Sequence, residues 1–320
     1  MVELLANSIK CSKFETKGGC MIKTKLICML LIVAVLGITG TAFSKATPGK
    51  SELAIYSGPT NSGWISNDTC QANTKTIMDD VRMKKLFGSI RNFGDGTEKG
   101  YDSALGKWVK GHTGNGQQDV LITASGTCPS ALYQFPNKNP DGSPVEEFVE
   151  AGNVVINVAD WIFYMSYEGG ARSADNGANG AANVFDIPGL SFSNRGGADE
   201  IPTALGKKYI PSLKPFKSVR PWHLEQFKGK PWTLHLFAVD KDDPNTADPA
   251  VAVSNEKGRD GNGMIAAMWQ KDSPAWAAKP DPRGIGVVEF ISNWLAAHGT
   301  MVSVEPQGKL STAWAKIKNN

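Results

Sequence analysis

The sequence predicts an α/β protein built on a mainly parallel β-sheet with helices on both faces. Three observations lead there. Strand-like and helix-like segments alternate from residue 52 onward, the pattern of successive βαβ units. Two of the strands, Asp119–Ser125 (DVLITAS) and Asn153–Ala159 (NVVINVA), are nearly continuous apolar runs, as strands buried on both faces are. The 320 residues are 41% hydrophobic and 20% charged, which excludes coiled-coil, collagenous and disordered chains.

Taken in order, Glu52–Ser57 (ELAIYS) is a short apolar run closed by Gly58-Pro59, hence a strand. Cys70, Ile77, Met78, Val81 and Leu86 recur near helical spacing, with Asn67 or Asp68 as N-cap. Leu86–Phe93 reads as a second strand, Ser103–Val109 as a short helix, and Asp119–Ser125 as a third strand ending at Gly126. Ser143-Pro144-Val145-Glu146 combines a capping box with Pro at the first helical position. Gly152 ends that helix, and Asn153–Ala159 starts the fourth strand at once. Residues 166–200 are rich in Gly, Asn and Ser and read as a long surface excursion. Trp232–Val239 and Met264–Trp269 read as strands, and Gly286–His298 as an amphipathic helix closed by Gly299. There is no internal repeat and no linker after residue 50, so residues 45–320 are expected to form one domain.

The amino terminus carries an address. Lys23 and Lys25 precede an apolar run from Leu26 to Ile38, and Ala42-Phe43-Ser44 supplies a small-x-small cleavage pattern. Residues 21–44 therefore read as a secretory signal peptide, with the mature chain starting at Lys45 or Thr47. The apolar run is about thirteen residues, against the roughly 20 that a membrane span needs. Residues 1–20 read as a spurious upstream segment. Taking the five Lys and two Glu of residues 1–44 from the 34 basic and 31 acidic side chains leaves 29 of each. So balanced a chain has no electrostatic footprint for nucleic acid. Two cysteines remain after the signal, Cys70 and Cys128, and an exported chain favours a disulfide over two buried thiols.

The stretch from Asp119 to Tyr164, with its strand DVLITASG, capped helix SPVEEFVEAG and strand NVVINVAD, resembles the class I glutamine amidotransferase-like superfamily, which includes the ThuA-like proteins. Asp248–Ala252 followed by Gly263–Ala267 resembles the family's late hairpin, and Val287–Ala297 its closing helix. The resemblance implies a three-layer, doubly wound, flavodoxin-like sheet. In that family a Gly-x-Cys-x-Gly elbow follows the strand that Asn153–Ala159 resembles, and a His-x-Glu pair comes late in the chain. This sequence has Ala159-Asp160-Trp161 at the elbow, and Gly299-Thr300 after His298. Glutaminase chemistry needs a thiolate and a base, so no glutaminase activity is expected. The resemblance also implies that Cys70, after the first strand, and Cys128, after the third, emerge at one sheet edge as a disulfide beside the pocket.

Asp160 falls at the carboxy end of a buried strand, where open α/β sheets gather ligands. Trp161, Tyr164 and Tyr167 follow it. A carboxylate among aromatic rings suits a sugar or polyol; the alternative is a turn-capping Asp with aromatics in the core. Asn67, Asp68 and Ser130, in the same two crevice loops as the cysteines, complete the candidate ligand set. Asp240, Asp242, Asp243, Asn245 and Asp248 are spaced as calcium ligands can be, but they lack the Gly and distal Glu of an EF-hand, so a solvated acidic turn is expected and no metal. Asn67-Asp68-Thr69 is a short, common sequon that carries little weight. No Gly-rich phosphate loop follows a strand, which argues against a nucleotide cofactor, and no cofactor is expected. The leading expectation is an exported protein that binds a small polar ligand or carbohydrate. The alternatives are a hydrolase using Asp160 with Asp68 or Asp141, and a non-catalytic interaction module.

Overall fold

The structure, a computed structural model, describes residues 51–94, 99–134, 141–166, 177–193, 198–271 and 280–301. The expected leader over 21–44, the segment 1–20 and Tyr167 lie outside the described residues. All described residues belong to one compact unit, Lys45–Asn320. Among them, no helix is long and apolar enough to cross a membrane.

The protein is mixed α/β with a mostly parallel seven-stranded sheet. Its strands, numbered along the chain, are β1 (Glu52–Tyr56), β2 (Ser89–Asn92), β3 (Val120–Thr123), β4 (Val154–Val158), β8 (Trp232–Leu236), β11 (Ala250–Lys257) and β12 (Asn262–Met268). They lie in the order β2-β1-β3-β4-β12-β11-β8. The first five run parallel; β11 and β8 add antiparallel to one side. Every residue of β3 and β4 is buried, which is why these two segments read as unbroken apolar runs.

Helices cover both faces. Leu53, Ile55, Ile122 and Ile156 point to one side, against Cys70 and Ile77 of α1 (Asn67–Asp79) and Val287 of α7 (Arg283–Glu289). Ala54, Tyr56, Leu121 and Val155 point to the other, against Trp108 of α3 (Ala104–His112) and Phe148 of α4 (Pro144–Glu150). The alternation within β1, β3 and β4 follows from the two-residue pleat. Ser143 caps α4 as its sequence demands: its hydroxyl accepts from the Glu146 amide, while the Glu146 carboxylate accepts from the Ser143 amide. Gly286 packs so close to Trp269 that a Cβ there would fall 2.0 Å from the ring, so only glycine lets α7 seat on the strand end.

Several expectations need correction. The first helix is capped by Ser66, not Asn67 or Asp68. Leu86 belongs to a second short helix, α2 (Val81–Leu86), because Asp80 accepts from the Arg82 amide and restarts the turn; the strand begins at Ser89. Residues 166–200 are not simply a surface excursion. Residues 177–184 form α5 (Gly177–Val184), and Phe185, Ile187, Leu190 and Phe192 are buried against Trp222 and Phe227. Small residues, seven Gly and six Ala among the 35, mask the few large apolar residues that anchor it.

A second sheet, five-stranded and antiparallel, was not legible. It comprises β5 (Ala198–Pro202), β6 (Phe216–Ser218), β7 (Trp222–His223), β9 (Ala238–Asp240) and β10 (Thr246–Ala247), in the order β6-β5-β9-β10-β7. The run read as one strand, Trp232–Val239, is divided between the two sheets at Phe237, whose amide bonds the Pro249 carbonyl. The neighbouring chain makes the same crossing from β10 to β11 through Asp248 and Pro249.

The cysteine pairing is also corrected. Cys70 and Cys128 are buried thiols, not a bridge. Cys70 packs in the cluster on one face of the large sheet and Cys128 in the cluster on the other. Both follow the carboxy ends of neighbouring strands, but the sheet lies between their side chains. Burial pushes the Cys70 thiol up to about 12.

Candidate functional site

Loops leaving the carboxy ends of β1, β4 and β12 converge, and a fourth segment from the small sheet joins them. Chain geometry changes sharply at these ends. Ala159, directly after β4, has φ of 86°, and Trp269, directly after β12, has φ of 49°. Both conformations are uncommon for residues with a side chain, and such departures cluster at sites.

Asp160 is buried and its carboxylate is held from two directions. The Trp161 amide donates to Oδ1 at 2.6 Å, and the Asn61 side chain, in the loop after β1, donates to Oδ2 at 3.0 Å. The Asn157 amide group donates to the Asp160 carbonyl at 2.6 Å. Asp160 therefore closes the turn after β4, as the structural alternative required, and also ties that turn to the loop after β1. Gly126, at the end of β3, has φ of 70°, and a Cβ there would lie 3.0 Å from Asp160.

Trp161 and Tyr164, expected to flank Asp160, pack against each other with half-buried rings 4.6 Å apart. Two residues that the sequence did not single out join them. Trp64, in the loop after β1, and Arg220, between β6 and β7, complete an aromatic-cationic wall. The Arg220 guanidinium carbon lies 5.1 Å from the Trp64 ring centre and 5.2 Å from that of Trp161, within cation–π range of both.

The segment after β12 holds this wall in place. The Gln270 carbonyl accepts from the Val219 and Arg220 amides, and its side chain donates to the Arg220 carbonyl at 2.6 Å. Arg283, fully buried, is forked onto Asp281 and donates to the carbonyls of Trp64 and Lys271. Such forked pairs fix orientation as well as charge. The Gln270 amide in turn donates to Asp248 Oδ2, which also accepts from the Ser218 hydroxyl, each at 2.7 Å.

Asp248 and Glu200 are both fully buried. Among the described residues neither Glu200 oxygen, nor Oδ1 of Asp248, meets a side-chain donor; the Asp248 backbone amide is the one donor facing the Glu200 carboxyl. Burial, reinforced by the charge of Asp248, pushes the Glu200 carboxyl up to about 9. Burial pushes Asp248 up to about 7, opposed by its bonds from Ser218 and Gln270.

The remaining expected residues lie apart from this wall. Asn67 and Asp68 are exposed in the first turn of α1, where Asn67 accepts from Thr60. Ser130 accepts from the Gly100 amide in a separate cleft of about 290 Å³, lined with Lys99, Tyr101 and Gln134. Asp141 is exposed. Among the described residues no group of three or more His, Cys, Asp or Glu is arranged to hold a metal. A larger hollow of about 430 Å³ lies against Glu150, Asp186, Trp232 and Glu256. Comparison with protein-family models, curated proteins and solved structures finds no match for this chain.

Proposed function

We propose that this chain is an exported binding protein of the class I amidotransferase-like type. It holds a small polar ligand or carbohydrate at the carboxy edge of its large sheet and has no glutaminase activity. One observation carries the reading: Trp161, which packs on Tyr164 and shares the Arg220 guanidinium with Trp64, directly follows a carboxylate, Asp160, that is fixed from two loops. Rings of that kind stack on the apolar face of a sugar, and the fixed polar groups orient its hydroxyls.

The order of the five parallel strands, β2-β1-β3-β4-β12, supports a flavodoxin-like, doubly wound sheet. In such sheets ligands collect outside the carboxyl ends of the strands. The basic-apolar-small pattern of residues 21–44 supports export. The absence of a Cys in Ala159-Asp160-Trp161 supports a role without amide hydrolysis. The hydrolytic alternative needs a second carboxylate across the ligand from Asp160; Asp68 and Asp141 are exposed and give it no support.

Thermal denaturation of the purified chain with glucose, methyl glucoside and glucuronate tests the reading. Binding to the folded state raises the midpoint by mass action. At least one sugar is expected to do so, and Trp161→Ala is expected to abolish the rise. Midpoints that no sugar moves would overturn the reading.

A further inference from the structure

Arg220 is the one element of the wall whose chemistry goes beyond stacking. Its backbone is fully engaged with Gln270, and its side chain is half-buried. The guanidinium has no carboxylate partner among the described residues, and its terminal nitrogens donate to none of them. Its Nε is enclosed and also lacks an acceptor. Enclosed donors without partners are rare in folded proteins and call for a reason.

The local geometry gives that reason. A free guanidinium normally finds a carboxylate or water. This one lies within cation–π range of two indoles, and beside such apolar rings charge interactions are stronger. The carboxylate of the same wall, Asp160, accepts from Asn61 and from the Trp161 amide. Arg283, the other buried arginine nearby, is by contrast forked onto Asp281. Of the two cations, only Arg220 is left with its donor fork unanswered.

We propose that Arg220 reads an anionic group on the ligand, and that the ligand class is a sugar acid whose carboxylate meets the terminal nitrogens of the guanidinium. A carboxylate matches that planar fork bidentately. Its ring then falls on the indoles that flank the fork, so charge and stacking are satisfied by one molecule. The inference rests on the carbohydrate-binding reading and adds its specificity. Arg220 is a binding residue in this scheme. Gln270 and Arg283 are positioning residues that hold it and Trp64.

The test is calorimetric titration of the purified chain with glucuronate, glucuronamide, methyl glucoside and glucose 6-phosphate. Glucuronate is expected to bind about tenfold or more tighter than glucuronamide, the range of a charge-assisted hydrogen-bond pair. Arg220→Gln is expected to erase that difference while keeping the weaker binding of the amide. Arg220→Lys is expected to retain part of it, since the charge stays and the fork is lost. Equal affinity for acid and amide in the wild-type chain would overturn the inference and leave the carbohydrate reading standing, and needs no variant to fold. Tighter binding of the phosphate than of glucuronate would overturn the carboxylate assignment. Silence of all four compounds would overturn both readings.

Discussion

Replacing Glu200 by Gln isolates the most unusual electrostatic feature of the molecule. Strand β5 alternates: Asp199 faces out and meets Lys217 at 3.0 Å, while Glu200 faces in and is fully buried. Among the described residues its carboxyl meets no side-chain donor, only the Asp248 backbone amide, and the Asp248 carboxylate stands nearby. The folded chain consequently holds a proton on Glu200 up to about pH 9, whereas the unfolded chain releases it near 4.5. A raised folded pKa means the native state binds the extra proton. The stability it contributes is full below pH 4.5 and is lost as pH rises toward 9. The slope is about 1.4 kcal/mol per pH unit inside that window. Between pH 4.5 and pH 7 the wild-type chain therefore loses about 3 kcal/mol that a neutral Gln would not lose.

The Gln amide also supplies donors that the neighbouring Asp248 carboxylate can accept, which limits the penalty of burying it. Urea denaturation of wild type and Glu200→Gln, at half-unit steps from pH 4.5 to 8.5, reads the effect directly. The variant is expected to be no more stable than wild type at pH 4.5, and to gain on it steadily as pH rises. A stability difference that stays constant across this range would refute the reasoning, because it would mean that Glu200 has the same affinity for protons folded and unfolded.

Three further outcomes follow from the geometry. Gly126→Ala places a Cβ at φ of 70° and 3.0 Å from Asp160, so it should destabilise the fold by about 1 to 3 kcal/mol and weaken sugar binding; an unchanged denaturation midpoint and affinity would count against the tight β3–β4 corner. Dithiothreitol should leave the melting temperature of the chain unchanged, since Cys70 and Cys128 are buried thiols on opposite faces of the sheet; a marked drop would restore the disulfide. Ammonia release from glutamine should be absent, and a release that vanished in Cys128→Ser would show that the nucleophile had been sought on the wrong strand.

The large sheet was legible because its signals are local. Continuous apolar runs at Asp119–Ser125 and Asn153–Ala159, and the Ser143–Glu146 capping box, each fix their own element with little help from the rest of the chain. Asp160 was legible for the same reason, as the residue that follows a buried strand. The small sheet was not, because its strands are two to five residues long and carry charges such as Asp199, Glu200 and Lys217 where an apolar alternation would betray them. Phe237 looks like the interior of one strand and is instead the crossing point between two sheets. Arg220 and Trp64 sit in irregular segments whose sequences, SVRPW and NSGW, have no periodicity, so only tertiary packing brings them to Trp161. The cysteines misled by a topological truth: adjacent strand ends do place two residues at one edge, but a sheet has two faces, and the pleat decides which face each thiol meets.

The small sheet earns its place through what it presents to the large one. Its strand β7 is anchored by the Trp222 ring nitrogen, which donates to the Ala267 carbonyl of β12 at 3.1 Å. The loop just before β7 carries Arg220 to the edge where β1 and β4 end. Three consecutive residues after β12 then govern the whole wall. Trp269 turns the chain through a left-handed conformation, Gln270 clamps Arg220, and the Lys271 carbonyl shares Arg283 with that of Trp64. Asp248 grips the Gln270 amide from behind, and its charge adds to burial in raising the proton affinity of Glu200. One residue, Gln270, thus separates the buried carboxyl pair from Arg220. The side chain proposed to read the ligand and one of the two buried carboxyls are therefore joined by hydrogen bonds through a single residue, Asp248 to Gln270 to Arg220.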